Sequence, residues 1–391
     1  MSTMATLPIV IPLAAAALTL IVQRSLRTER VIGISASIAS VAVAIWLLVT
    51  VDREGAIVVA VGGWTAPIGI ALVADRLAVL LLATSTVALL AVLIYAVSQK
   101  STDEELRGFH AVYQMLAAGV ALALFTGDLF TLFVAFEIML TASYVLLTHR
   151  AGGTDTRASL TYVVIGLVAS ALLLTAIGLI YAVTGTVNIA DLTVKLDLVP
   201  GGLRAGLGWL LFMVFGIKAA IFPLFFWLPD SYPLAPTPVT ALFAGLLTKI
   251  GVYAIIRTQT LLFPSDGPAT FMLVIAGLTM IVGVLGAIAQ KDIKRILSFH
   301  IVSQIGYKIM GLGFGTVAGV AAAIVFVVHQ IIVKASLFLV GGLVEESEGT
   351  GAIDRVSGVA RRSPIIAAVS YTHLTLPTKE SRGGGGGGGG G

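Results

Sequence analysis

The stretch TLFVAFEIML, residues 131–140, places one carboxylate, Glu137, among apolar side chains. It sits inside the run Leu129–Leu147, which carries no other charge. A helix rises 1.5 Å per residue, so about 20 apolar residues cross the roughly 30 Å of hydrocarbon in a bilayer. The run has that length, and Glu137 falls near its middle. A charge at that depth costs about 2.5–3.5 kcal/mol even on the most lenient insertion scale. The stretch therefore predicts a spanning helix whose carboxylate faces protein or water, not lipid.

The rest of the chain has the same character. Of 391 residues, 58% are hydrophobic and only 11% charged, and the mean hydropathy is +1.02. Soluble domains carry about a quarter charged residues, so the composition is that of a membrane protein. With no cysteine, disulfides, thiolate metal sites and iron–sulfur clusters are excluded. The five histidines are scattered, without metal-ligand spacing. No phosphate-binding glycine loop and no Ser/His/Asp grouping in a motif context is found. No cofactor is expected. The net charge of +4 comes from basic residues in short loops between apolar runs, a pattern of membrane topology and not of a nucleic-acid face.

Eleven apolar runs can be read as spanning helices: 5–22, 31–51, 76–98, 109–126, 129–148, 158–184, 205–226, 237–257, 269–289, 293–313 and 316–343. They lack the alternation of barrel strands, so the fold class is all-α and polytopic. The first run has no basic segment before it and no small-residue cleavage site, and is read as a retained helix. If the N-terminus lies outside, thirteen loop Lys and Arg fall inside and five outside, which sets that orientation.

Four lysines do not belong to loops: Lys218, Lys249, Lys308 and Lys334. One acid against several bases is awkward for simple pairing. A surplus lysine must be neutral or face water, and either state suits a proton relay. The simpler alternative is a structural ion pair that ties two helices together. Lys218 precedes FPLFFWLPDSYPLAPTPVTALFAG, residues 222–245, which holds five prolines. Proline in a helix interior removes a hydrogen bond and clashes with the preceding turn. A helix break near 218–230 is expected, with Pro223 and Pro229 marking it. On the last run, His329 and Lys334 are five residues apart, about 140° around the helix, and so do not share a face.

These residues together resemble the antiporter-like subunits shared by Mrp-type Na+/H+ antiporters and the membrane arm of respiratory complex I. The resemblance is carried by FEIMLTASYVLL, GIKAAIFPLFFWLPDSYPLAPTPVTALFAGLLTKIGVYAIIR, KDIKRILSFHIVSQIGYKIMGLG and HQIIVKASLFLVGG, with SFHIVSQIGY and HQIIVKASLF most similar to the D-type member of the Mrp set. It covers about residues 1–370. It implies a fourteen-helix bundle with inverted repeats and broken helices, plasma-membrane localisation, and partner subunits in a hetero-oligomeric complex. It also implies exchange of H+ for Na+ (or K+), with no redox chemistry in this chain. Proton movement is expected along Glu137, Lys218, Lys249 and His329, with Lys334 in the same motif.

An alternative of the same family is a proton-translocating subunit of a quinone- or hydrogenase-linked redox complex. Two features depart from the family pattern. Lys308 stands where an apolar residue is expected. After RRSPIIAAV the chain reads SYTHLTLPTKESRGGGGGGGGG, which resembles a translated library adapter followed by a homopolymer run. Residues 1–369 are therefore read as an antiporter-like domain that stops short of its closing helices, and 370–391 as a non-native tail. On that reading His329 and Lys334 would lack enclosing neighbours.

Overall fold

The computed structural model describes residues 2–99, 108–148, 156–264 and 269–356. The expected apolar stub at 364–369 and the tail 370–391 lie outside them. Each of the eleven apolar runs forms a helix, although 205–226 is helical only as far as Ala219. They form α1 (Leu7–Ile21), α2 (Leu26–Glu54), α3 (Arg76–Ser98), α4 (Phe109–Phe125), α5 (Leu129–Thr148) and α6 (Thr156–Thr184) in the first half. After a short surface helix, α7 (Ile189–Lys195), come α8 (Gly201–Ala219) and the five-residue α9 (Trp227–Ser231). Next is a continuous helical stretch, Thr237–Leu261, made of α10 (Thr237–Leu242), a π-helical turn (Phe243–Leu247) and α11 (Thr248–Leu261). The last three are α12 (Ala269–Ile288), α13 (Ile293–Gly313) and α14 (Val317–Glu348).

Among the described residues, nine helices are long and apolar enough to cross a membrane. Two of the eleven expected spans fall short, for different reasons. Helix α4 has only 17 residues. Helix α13 is long enough, but His300, Gln304 and Lys308 lower its apolarity. The molecule is not purely helical: β1 (Ile57–Ala60) and β2 (Ala71–Ala74) form an antiparallel hairpin between α2 and α3.

Side-chain caps start the helices where the runs begin. Asp75 accepts from the Ala78 N–H at 2.9 Å, Asp128 from Thr131 at 2.6 Å, Asp292 from Arg295 at 3.0 Å and Thr316 from Gly319 at 3.1 Å. Each satisfies a backbone donor that the first turn leaves open.

The stretch Thr237–Leu261 is the centre of the bundle, with 94% of its apolar window buried inside protein. Lipid supplies no hydrophobic drive for helix association, so close backbone approach matters. A Cβ on Gly283 of α12 would collide with the Ser303 nitrogen of α13, so these two helices are in backbone contact along that seam. Gly251 of α11 is pressed the same way against α8: its Cβ would stand 2.7 Å from the Ala219 nitrogen and 3.0 Å from the Lys218 carbonyl carbon.

Candidate functional site

Helix α8 ends one residue past Lys218. Ala220 takes a left-handed conformation at φ +65°, which favours glycine, and the next regular turn is α9. The break spans Ala220–Phe226, with a cis peptide between Phe222 and Pro223. The expected interruption is present, but it begins three residues before Pro223. Pro229, expected to mark the break, lies inside α9 instead, where a first-turn proline gives up a donor the helix does not need.

Several open backbone groups of the break are matched. Ala220 and Ile221 donate to Ile217 and Gly216, the Trp227 indole donates to the Ile217 carbonyl at 3.1 Å, and Phe222 donates to Thr279 Oγ1 at 3.0 Å. Thr279 is midway along α12, so the break lies level with the middle of that helix; Ala220 and Ile221 are buried there, whereas Pro223 and Phe226 are exposed.

Lys218 projects from the last turn of α8 towards α6. Its Nζ donates to Ser170 Oγ at 3.0 Å and stands 5.3 Å from the centre of the Phe136 ring. Beside it is a cavity of about 50 Å³, lined among others by Phe136, Ser143, Tyr162, Lys218 and Trp227. The Ser143 and Tyr162 hydroxyls are hydrogen-bonded to each other at 2.8 Å.

Glu137, one residue after Phe136, points elsewhere. It is half-buried on α5 and lines a groove of about 450 Å³ between α1, α4 and α5, and its Oε1 is buried without a hydrogen-bond partner. Its charge acts on Lys218, but the two make no direct ion pair.

Lys249 lies at the start of α11, just after the π turn, and is 2% exposed. A π turn leaves carbonyls out of the regular ladder. Lys249 Nζ uses one of them, donating to the Ala244 carbonyl, and also reaches Thr248 Oγ1 at 3.4 Å. Beyond it, α13 and α14 bring three more basic groups inward. Lys334 Nζ is 2.7 Å from His300 Nδ1, and His300 Nε2 is 3.1 Å from Gln304 Nε2. Lys308 is 1% exposed, with its Nζ 5.6 Å from the Phe326 ring centre. His329 stacks on that same Phe326, at 6.1 Å between centres, and contacts Gln330 at 3.4 Å.

The family model described as NADH:quinone oxidoreductase/Mrp antiporter, TM matches residues 126–376, which contain every one of these groups. The D-type subunit of the Na+/H+ antiporter of Alkalihalophilus pseudofirmus is 43% identical over 370 residues, 94% of this chain and 75% of that protein. The chain belongs to this family.

Two solved structures show the range of the family fold. A chain of the Mrp complex from Dietzia sp. superposes with a TM-score of 0.91 at 33% identity, covering 96% of this chain and 71% of the other. A chain of an archaeal membrane-bound sulfane sulfur reductase superposes with a TM-score of 0.90 at 27% identity, covering 96% and 78%.

Set on this family fold, Glu137 faces the α1–α4 groove, and the other residues singled out in the sequence fall into separate places. Lys218 and Lys249 are joined through the α8–α11 backbone seam. Lys334 is enclosed and bonded to His300, which corrects the expectation that it would lack neighbours. His329 lies on a different face, against Phe326, as the helical spacing predicts. Lys308 is as buried as Lys334. His300 was missed as a site residue. Its signal was available: it precedes Lys308 by eight residues, about 80° around α13, so the two face the same interior.

Proposed function

We propose that this chain is a D-type subunit of a multi-subunit Na+/H+ antiporter in the plasma membrane, with its N-terminus outside. In this reading it moves protons along Glu137, Lys218, Lys249 and then His329 and Lys334, and carries out no redox chemistry of its own. The other subunits of the complex are its partners, and Na+ (or K+) is the exchanged cation.

The observation that carries this reading is the placement of ionisable side chains on α5, the end of broken α8, α11 and α14, all inside one bundle. Several buried charges at mid-depth are expensive, and in membrane proteins such groups mark ion and proton pathways. The break after Lys218 fits too, because interrupted helices in transporters bring polar backbone to the ion path. The cavity beside Lys218 has room for water, which needs about 10–15 Å³ per probe sphere; its lining is mostly apolar, with Lys218, Ser143 and Tyr162 among its few polar side chains. A water held there would connect Lys218 to the Ser143–Tyr162 pair.

A redox-complex subunit is the second reading, favoured by the fold shared with the sulfane sulfur reductase chain. Identity of 43% to the antiporter subunit against 27% to that chain supports the antiporter. Co-purification with iron–sulfur or quinone-binding subunits would reverse the order.

The test uses the full-length subunit assembled with its partners. Glu137→Gln and Lys218→Ala are each expected to abolish sodium resistance and pH-gradient exchange at unchanged expression. Glu137→Asp should retain part of the activity, since the charge stays and only the reach shortens. Wild-type exchange in Glu137→Gln would remove the relay and leave a structural role.

A further inference from the structure

Lys308 is a fully buried amine on α13 in a neighbourhood of bases. Lys249 of α11 and Lys334 of α14 are within electrostatic reach of it, and so is His300 on its own helix. Among the described residues, the elements packed against α13 supply no carboxylate to offset them. Helix α12, its most extensive neighbour, has no titratable side chain. On α11 the others are Tyr253 and Arg257, and Arg257 is paired with Asp75 at 2.5 Å. On α14 there is His329, and the acids Glu345, Glu346 and Glu348 lie at its far end, Glu345 paired with Lys294 at 2.6 Å. Asp230 of α9 is paired with Arg295 at 3.1 Å, and the 3-10 turn after α9 adds Tyr232, which bonds the Phe243 carbonyl. Tyr307, beside Lys308 in sequence, is exposed. Four basic nitrogens thus share one interior with no acid among them.

We propose that Lys308 is a proton-holding residue of this site, and that its charge sets the pH at which Lys249 and Lys334 take up and release their protons. The inference rests on the proton-translocating reading above. Like charges in a poorly solvated interior repel strongly, so the four nitrogens hold fewer protons than their number. A proton on Lys308 is stabilised by the face of the Phe326 ring. While it stays there, it opposes a proton on Lys249, on Lys334 and on His300. When Lys308 gives its proton to water it becomes a neutral amine, and the neighbours hold theirs more readily. Lys308 is a positioning residue for charge: it acts on the other lysines through the field and not through contact.

The experiment is the pH profile of cation/proton exchange in the assembled complex, for Lys308→Met and Lys308→Arg. Methionine removes the charge, so the neighbours hold protons to higher pH. The midpoint of the profile is expected to move in the alkaline direction by about one pH unit. Arginine fixes the charge, because guanidinium does not deprotonate in proteins, and the midpoint is expected to move in the acid direction. A packing defect would lower rates in both variants without moving the midpoints in opposite senses. If one variant fails to accumulate in the membrane, the sign of the shift in the other decides. Unmoved midpoints overturn the inference. Failure of the underlying reading would appear separately, as exchange retained in Lys218→Ala.

Discussion

Lys334 Nζ and His300 Nδ1 are 2.7 Å apart on facing helices, 34 residues apart in sequence. One of them must donate and the other accept. A charged lysine donates to a neutral imidazole that keeps its hydrogen on Nε2, and Gln304 then presents its oxygen. A neutral lysine accepts from Nδ1–H, and Gln304 then donates to Nε2. The two arrangements differ by one proton and a turn of the Gln304 amide. His300→Leu removes the partner and leaves a buried amine unsatisfied, which costs about 1–3 kcal/mol. Exchange by the assembled complex is expected to fall about tenfold or more, and Gln304→Leu by less. Exchange at the wild-type rate in His300→Leu, measured in inverted vesicles, would show that Lys334 needs no such partner.

Lys249 hydrogen-bonds the Ala244 carbonyl freed by the π turn. An amine can hold that bond when charged and then release its proton, whereas guanidinium stays charged. Lys249→Arg is therefore expected to assemble normally and transport poorly. The measurement is ΔpH-driven cation uptake normalised to the amount of complex.

Ala220 sits in the left-handed region that closes α8. For a residue with a Cβ this costs roughly 1–2 kcal/mol, so Ala220→Gly should raise the thermal midpoint of the solubilised protein slightly. Gly251→Ala should do the reverse, since its Cβ would meet the Ala219 backbone. A lower midpoint in Ala220→Gly would contradict the strain argument.

At the membrane boundary, burial pushes the Asp75 carboxyl up. The Arg257 guanidinium at 2.5 Å and the N–H groups of Ala78 and Leu77 outweigh that and hold it below the usual carboxylate range. A lowered folded value means that the stabilisation is complete above the ordinary carboxylate pKa of about 4 and is lost as pH falls through the folded value. Asp75→Asn should lower stability by about 1–3 kcal/mol at neutral pH and flatten the loss of stability on acidification. Thermal melts across that pH range give both numbers.

Much of this was legible from one dimension. Each apolar run long enough to span became a helix, because bilayer thickness and backbone satisfaction leave no other choice for such runs. Glu137, Lys218, Lys249 and Lys334 stood out because each is a charge in an apolar setting. The hairpin was not legible: Ile57–Ala60 and Ala71–Ala74 are too short, and their pairing is set by how α2 and α3 bring them together. Which groups would touch was hidden as well. Glu137 and Lys218 are unlike charges in separate helices, and a structural ion pair between helices was the simpler alternative. The helix phase instead aims the carboxylate at the α1–α4 side and the amine at α6. His300 escaped notice because a lone histidine is ordinary, and only the crossing of α13 and α14 brings it against Lys334.

The seam at Gly251 has a mechanical consequence. With no side chain between them, the end of α8 and the start of α11 are fastened together like parts of one frame, and Lys218 and Lys249 are mounted on either side. Sliding or prising those helices apart would require breaking backbone contact, so the parts left free to move are the four-carbon stems of the two lysines. Side-chain swings are faster than displacements of whole helices, which take microseconds to milliseconds. The chain thus separates its clocks. Motion of the two side chains can be completed many times over before the frame itself rearranges.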